Sequence, residues 1–487
     1  MQIVGDPGTV RFYLNGQLRN VSGISPTQNF LTWLREESQL KGTKEGCAEG
    51  DCGACMVGVA ELDGRGEVRL KNVNSCILFL PVLDGKAVFT VEYLKQEGLH
   101  PVQQAMVENH ASQCGFCTPG FVMTLWALYE NSSGSAGEDE IREALTGNLC
   151  RCTGYRPILD SAKAMFDYPG RRLDRQSLKA DLLKISREET FRYEAGKALF
   201  FSPRSLKELY DIRQENPAAV LLAGGTDLGI HVNKLMRDYP AVIYLGNVAE
   251  LNTMRESAGR LIIGAGVNLE EAFGAIGGHY AGFREVGSRF ASRPIRNSGT
   301  LGGNIANGSP IGDSMPGLIA LGTEIELSGP DGNRTLPLED FYISYGKKDC
   351  KPNEIVNSIS IPLKKESNFR FSTYKVSKRY DSDISAVCAA FALTLGDDDT
   401  VRECRIACGG MAATPKRAAK TEQALTGKKW NAETVAAARK ALDADFAPLT
   451  DMRASAEYRS MAAANLLTRF FLETTEAETG LNVFALT

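Results

Sequence analysis

The sequence predicts a multidomain α+β protein, and three observations carry that expectation. Its 487 residues are too many for one hydrophobic core, so three or four domains are expected. Twelve cysteines are present, and eight of them fall within the first 152 residues as two groups of four. Further along, two glycine-rich turns about 75 residues apart interrupt segments of strand and helix character.

Composition narrows the function classes. Hydrophobic residues make up 43% and charged residues 23%, as in ordinary globular proteins. The balance of 55 basic against 59 acidic residues, without a sustained basic block, argues against nucleic-acid binding. The first seven residues show no basic region followed by an apolar core, and the Arg171-Arg172 pair lies too deep to be a twin-arginine signal. The best apolar run, residues 385–395, suits a buried strand and is too short for a membrane span. A cytoplasmic location is expected. There, an even cysteine count reads better as metal ligation than as disulfides.

The first module opens with Val10–Leu14 and Gln17–Val21 flanking Asn15-Gly16, a strong hairpin signal. Pro26 opens a helical stretch with Phe30, Leu31 and Leu34 on one face. Then come Cys47, Cys52 and Cys55 in C-x4-C-x2-C spacing, completed after 20 intervening residues by Cys76. This is the spacing of plant-type [2Fe–2S] ferredoxins. Gly42, Gly46, Gly50 and Gly53 supply a loop free of Cβ clashes, able to turn N–H groups toward sulfur. A structural zinc knot is the competing reading. Residues 56–60, 68–70 and 87–91 have strand composition, so a small sheet crossed by a helix holds this loop at its edge.

The second module is helical. Pro101 begins a helix through about Asn109, and Cys114 and Cys117 precede another from Pro119 with Phe121, Val122, Leu125, Leu128 and Tyr129 on its apolar face. A third helix from about Glu138 to Thr146 is stopped by Gly147 and delivers Cys150 and Cys152, and a fourth begins near Pro157. Each cysteine pair sits before a helix N-terminus, whose partial positive charge suits an anionic metal–thiolate group. Zinc again competes on spacing alone.

Residues 168–198 are charged and turn-rich and read as a linker with some helix. Residues 202–209 resemble a capped helix start, and 219–223 a buried strand. That strand enters the first glycine turn, Gly224, Gly225, Thr226 and Asp227; the second is Thr300, Leu301, Gly302, Gly303 and Asn304, followed by Asp313. Bare backbone N–H groups in two such turns would suit the two phosphates of a dinucleotide, and a pair of ordinary turns is the alternative. Residues 263–267 begin like a dinucleotide fingerprint, but Leu269 stands where the third glycine belongs. Beyond about residue 368 strands are followed by helices. Cys350, Cys388, Cys404 and Cys408 are expected to be buried, and His100, His110, His231 and His279 are too scattered for a site.

Taken in this order, the motifs resemble the molybdenum hydroxylases, most closely the iron–sulfur/FAD small subunit of the bacterial xanthine dehydrogenases. The resemblance covers nearly the whole chain and rests on residues 47–55, 113–120, 150–157 and 300–304. It implies a ferredoxin-like β-grasp [2Fe–2S] domain (8–93), a four-helix [2Fe–2S] domain (94–168), a linker (169–194), a two-part α+β FAD-binding domain (195–367) and an α+β C-terminal flavoprotein domain (368–487). Cys47, Cys52, Cys55 and Cys76 would hold one cluster, and Cys114, Cys117, Cys150 and Cys152 the other. FAD would contact Leu221, Leu222, Ala223, Gly224, Gly225, Thr226, Asp227 and Leu228, the turn at Thr300 to Asn304, and Phe290, Asp313, Val356 and Lys375. Tyr345 would stand where NAD+ approaches the flavin. Residues 375–384 resemble the neighbouring loop but differ in charge pattern from the animal enzymes. The resemblance further implies that molybdopterin and substrate hydroxylation belong to a separate large subunit, in an α2β2 assembly. The matching subunit of an aldehyde or nitrogen-heterocycle hydroxylase, and a stand-alone NADH:acceptor flavoprotein, are the alternatives.

Overall fold

The structure, a computed structural model, describes residues 8–95, 98–475 and 481. Residues 1–7, read above for an export signal, and most of the chain after 475 lie outside the described residues. The chain forms two compact units, Met1–Ala249 with Ser292–Gly299, and Glu250–Ala291 with Thr300–Thr487.

In the first unit, β1 (Val10–Leu14) and β2 (Gln17–Val21) form the expected hairpin. Asn15 and Gly16 both have positive φ, 51° and 81°, as its two-residue turn requires. Helix α1 (Phe30–Glu36) starts four residues after Pro26, because the Asn29 side chain accepts the Thr32 N–H and sets the N-terminus there. Strands β3 (Met56–Leu62), β4 (Val68–Asn74) and β5 (Ala87–Phe89) complete a five-stranded sheet of order β2-β1-β5-β3-β4. Only β1 and β5 run parallel, which gives a β-grasp.

Four helices follow: α2 (Pro101–Glu108), α3 (Thr118–Asn131), α4 (Glu138–Leu145) and α5 (Arg156–Ala164). Trp126 of α3 reaches the β-grasp sheet at Gly58, where a Cβ would lie 2.5 Å from its ring, and packs on Phe89 and Tyr93. One core therefore serves both cysteine modules. The segment expected to be a linker contains α6 (Arg175–Ile185), whose Leu178, Leu182 and Ile185 are buried in that core. A second sheet of order β6-β7-β9-β8 follows: β6 (Phe191–Ala195), β7 (Ala198–Ser202), α7 (Leu206–Glu215), β8 (Val220–Leu222), α8 (Leu228–Leu235) and β9 (Ala241–Tyr244). Strand β8 lies at the sheet edge and only Leu222 of its three residues is buried, so it is not the fully buried strand expected. A helix at Arg293–Ser298 also belongs here: Asn297 donates to the Asn72 backbone carbonyl at 3.0 Å, and Pro294 covers Gly147.

The second unit has a five-stranded antiparallel sheet of order β10-β11-β16-β12-β13. Its early elements are β10 (Met254–Ser257), β11 (Arg260–Gly264), α9 (Leu269–His279) and α10 (Arg284–Arg289). The Arg293–Ser298 helix, α11, intervenes before α12 (Leu301–Asn307) and α13 (Ser314–Ala320). Then come β12 (Glu324–Gly329), β13 (Gly332–Pro337), a two-stranded hairpin of β14 (Tyr342–Ser344) and β15 (Lys347–Lys348), and β16 (Ile355–Pro362). The antiparallel pairing of β11 confirms that residues 263–267 do not open a Rossmann βαβ unit. An antiparallel sheet of β17 (Phe369–Val376), β18 (Val387–Leu395), β19 (Val401–Gly409) and β20 (Lys416–Arg417) packs on α14 (Ala419–Leu425), α15 (Ala432–Asp445) and α16 (Ala456–Thr475). No helix among the described residues is long and apolar enough to cross a membrane.

Candidate metal centres and phosphate turns

The first cysteine loop bends through positive φ at Ala48, Gly50 and Gly53. Gly46 is needed for space, since a Cβ there would lie 2.7 Å from Cys52 Sγ. The wrapping turns three backbone N–H groups onto Cys47 Sγ, from Asp51 and Cys52 at 3.3 Å and from Glu49 at 3.5 Å. Cys55 Sγ lies 3.3 Å from Cys76 Sγ and also receives the Asn74 amide at 3.7 Å. The four sulfurs thus form one connected set: Cys47 is held low by hydrogen bonds with Cys52 and Cys76, Cys76 is pushed up by Cys47 and then by Cys55, Cys52 is pushed up by Cys47, and Cys55 is held low against Cys76.

The second quartet falls into two pairs, Cys114 with Cys152 and Cys117 with Cys150. Cys117 caps α3, and the loop carrying Cys150 and Cys152 ends at Tyr155, whose φ is +69°. Cys114 is held low by the Phe116 N–H and by its bond with Cys152, which is raised. Burial pushes the Cys117 thiol up to about 12. Burial opposes ionisation of Cys150 too, but bonds with Thr153 outweigh it and lower that thiol. Among the described residues no three His, Cys, Asp or Glu side chains converge on a single-ion position. Four converging sulfurs per quartet, with N–H groups aimed at sulfur, suit a pair of bridged irons.

The two loops touch. The Leu149 N–H, one residue before Cys150, donates to the Cys52 carbonyl at 3.0 Å, and a Cβ on Gly53 would lie 2.1 Å from the Gly147 carbonyl. Cys114 and Cys152 are exposed, and with them stand the exposed apolar side chains of Phe116, Leu149 and Tyr155.

The first glycine turn follows β8. Gly225 has φ +73°, and a Cβ on Gly224 would lie 2.0 Å from the Ser298 carbonyl. No acceptor among the described residues takes the backbone N–H groups of Gly224, Gly225, Thr226 and Asp227. Burial raises the Asp227 carboxyl. The turn therefore offers backbone donors able to receive an anion.

The second turn differs from expectation. Thr300 caps α12, and the N–H groups behind it are spent inside the unit: Leu301 on Val267, Gly302 on Ala265, both at 3.0 Å, and Gly303 on the Thr300 hydroxyl. Asn304 N–H bonds the Thr300 carbonyl. Gly302 is glycine because a Cβ would lie 2.3 Å from Ala265 Cβ. Its bare backbone serves packing, not a nest of free N–H groups.

The remaining expected residues of the second unit are scattered over several elements. Lys375 Nζ bonds Asp313 Oδ2 at 2.7 Å, with both groups buried, and the Ser385 hydroxyl donates to Oδ1 at 2.6 Å. Phe290 packs edge-on to Phe273 at 5.3 Å. Val356 is buried in β16, opposite Leu327 at a register shift. Tyr345 is 75% exposed at the tip of the β14–β15 hairpin. Cys388, Cys404 and Cys408 are buried, whereas Cys350 is exposed, contrary to expectation, because it follows the short hairpin.

Three family models match: a [2Fe-2S] binding domain over residues 90–163, the FAD binding domain in molybdopterin dehydrogenase over 191–364, and the CO dehydrogenase flavoprotein C-terminal domain over 372–474. The chain belongs to the molybdenum hydroxylase family. Among molybdenum hydroxylases, xanthine dehydrogenase of Emericella nidulans is 33% identical over 525 residues, covering 95% of this chain and 38% of the relative. Xanthine dehydrogenase 1 of Arabidopsis thaliana is 30% identical over 544 residues, covering 96% and 40%. The chain therefore spans about two fifths of the length of these curated relatives. The solved carbon monoxide dehydrogenase from Hydrogenophaga pseudoflava is 27% identical, with a TM-score of 0.52 over 55% of this chain and 94% of that one.

Sequence reasoning missed Gly229 and Asn233. Both lie on α8, which packs against the first cysteine loop: a Cβ on Gly229 would lie 2.8 Å from the Ile77 carbonyl, and Asn233 donates to the Cys76 carbonyl. The signal was the spacing, since Gly229 and Asn233 are four residues apart and so share one face of α8.

Proposed function

We propose that this chain is the electron-transfer part of a xanthine dehydrogenase-type molybdenum hydroxylase. In this reading purine is oxidised at a molybdopterin on a partner polypeptide, and the electrons leave through two [2Fe–2S] clusters and FAD to NAD+. Bound, the clusters would exchange single electrons with little change in shape, and FAD one or two at a time.

The observation that carries the reading is that both cysteine quartets assemble in one unit and are joined by the Leu149 N–H to Cys52 carbonyl bond. Cys47, Cys52, Cys55 and Cys76 would hold the first cluster, and Cys114, Cys117, Cys150 and Cys152 the second. The free N–H groups of residues 224–227 would take FAD phosphate, with Leu221, Leu222, Ala223 and Leu228 alongside them. The turn of Thr300 to Asn304, with Phe290, Asp313, Val356 and Lys375, would supply further FAD contacts. Because the N–H groups of 301–303 are already used, that turn would offer shape and side chains in place of a nest. Tyr345, on its exposed tip, is the residue we assign to NAD+ approach. The exposed Phe116, Leu149 and Tyr155 around the second quartet form the face we assign to the molybdopterin partner, in a cytoplasmic α2β2 assembly.

Iron, sulfide and flavin are quantified in anaerobically purified protein, together with its visible spectrum. Four irons, four sulfides and one FAD per chain are the expected result. A colourless, zinc-containing preparation would end the proposal. Assay of the partnered complex on hypoxanthine and xanthine with NAD+ then separates purine oxidation from aldehyde or N-heterocycle oxidation.

A further inference from the structure

We infer that Asn233 is a positioning residue for electron transfer between the first cysteine quartet and the flavin, its carboxamide fastening α8 to the backbone of that quartet. This rests on the proposed function above and deepens it. Helix α8 begins at Leu228, directly after the turn with the free N–H groups. Whatever fixes α8 therefore fixes that turn.

Gly225, Gly229 and Asn233 face the Cys76–Ile77 backbone. A Cβ on Gly229 would lie 2.7 Å from Ile77 Cβ, and one on Gly225 would lie 3.2 Å from the Ile77 carbonyl, so the two backbones meet with no side chain between them. Asn233 Nδ2 donates to the Cys76 carbonyl at 2.7 Å and to the Ala48 carbonyl at 2.9 Å. Its Oδ1 accepts from Asn29 Nδ2 at 3.0 Å, while Asn29 Oδ1 caps α1 through the Thr32 N–H at 2.8 Å. The orientation of the amide is fixed by chemistry, because a flipped group would set its oxygen against two carbonyls.

Cys76 is an expected ligand and Ala48 follows another, Cys47. Both hydrogen bonds therefore reach the frame that aims the sulfurs, as outer-shell partners do at metal centres. They also place the positive end of an amide dipole beside the loop, which favours the reduced and more negative state. Helix α1, the cysteine loop and the flavin turn are thereby tied at one side chain.

The test uses the holoprotein and two variants. Asn233→Asp keeps the size and can accept from Asn29 but loses both donors; Asn233→Leu removes the donors without adding charge. EPR-monitored redox titration is the readout, with the first cluster's signal identified as the one altered in Cys47→Ser. The expected result is full iron and flavin content with the first cluster about tenfold harder to reduce at a fixed potential, about 59 mV for one electron. The second cluster should stay within twofold, and flavin reduction in stopped flow should slow in parallel. The Leu variant should shift in the same direction and by less. Unchanged potentials in both variants, or equal shifts of both clusters, would overturn the inference and leave Asn233 as ordinary packing. So would equal loss of both clusters and flavin in both variants. A wild type that holds no iron, sulfide or flavin defeats the underlying reading, an outcome visible before any variant is made.

Discussion

Replacing Gly225 with alanine tests the first turn directly. Gly225 has φ +73°, and the N–H groups of residues 224–227 are presented by a turn that holds that conformation. An L-residue held in the left-handed region costs about 1–2 kcal/mol. When Gly225→Ala relaxes toward negative φ, the donors turn out of line, and a bound phosphate must restore the strain. A loss of 1–2 kcal/mol corresponds to a factor of about 5–30 in affinity. Flavin-stripped protein titrated with FAD, followed by quenching of flavin fluorescence, should show a dissociation constant raised by that factor. Gly225→Asn is the control. Asparagine tolerates positive φ better but meets the same Ile77 carbonyl, 3.2 Å from the Cβ position, so its affinity should fall between wild type and alanine. An alanine variant within twofold of wild type refutes the reasoning. Equal losses in both variants would transfer the effect from backbone conformation to the Ile77 contact and refute it as well.

Three further outcomes follow from the geometry. His100 is buried at the start of α2, where its Nε2 faces the Arg171 carbonyl, and burial together with the Arg171 cation brings it down to about 4. Its unfolded value is about 6.5, so the unfolded state binds more protons between those values, and stability complete above pH 6.5 is lost as pH falls through 4, by about 2–4 kcal/mol. Urea unfolding across that window should show the slope, and His100→Asn, which can still cap the helix, should flatten it. Asp313→Ala leaves the buried Lys375 cation unpaired and should cost about 3–5 kcal/mol; adding Lys375→Met should recover most of it in thermal melts, and simple additivity would refute the pairing argument. Gly53→Ala drives a Cβ toward the Gly147 carbonyl at 2.1 Å, so iron per chain should fall below half by metal analysis, and unchanged iron would show that the loops need not touch.

Local chemistry made much of the fold legible. Asn15-Gly16 specified its hairpin within two residues, and the four helices of the second module began within a residue or two of the prolines and caps that marked them. The cysteine spacings within each loop were legible locally, and the structure brings the thiols of each group of four together. Long-range partners were not readable. Val267 and Ala265 consume the donors of the Thr300 turn from over thirty residues away, and no local pattern announces that. Nor does charge composition reveal that Leu178, Leu182 and Ile185 of a polar segment insert into the core. Pro26 misplaced α1 because a proline only permits a helix start, whereas the Asn29 side chain fixes one.

The excursion of residues 292–299 constrains how this protein can be cut. Those eight residues lie in sequence among the second unit but are built into the first, where Asn297 and Pro294 engage Asn72 and Gly147. A gene fragment ending at residue 249 would carry every cysteine of both quartets yet leave the floor beneath Gly147 uncovered. Anyone wanting a free-standing iron–sulfur module would have to graft that short helix back on, and evolution, shuffling exons or operons, would face the same carpentry.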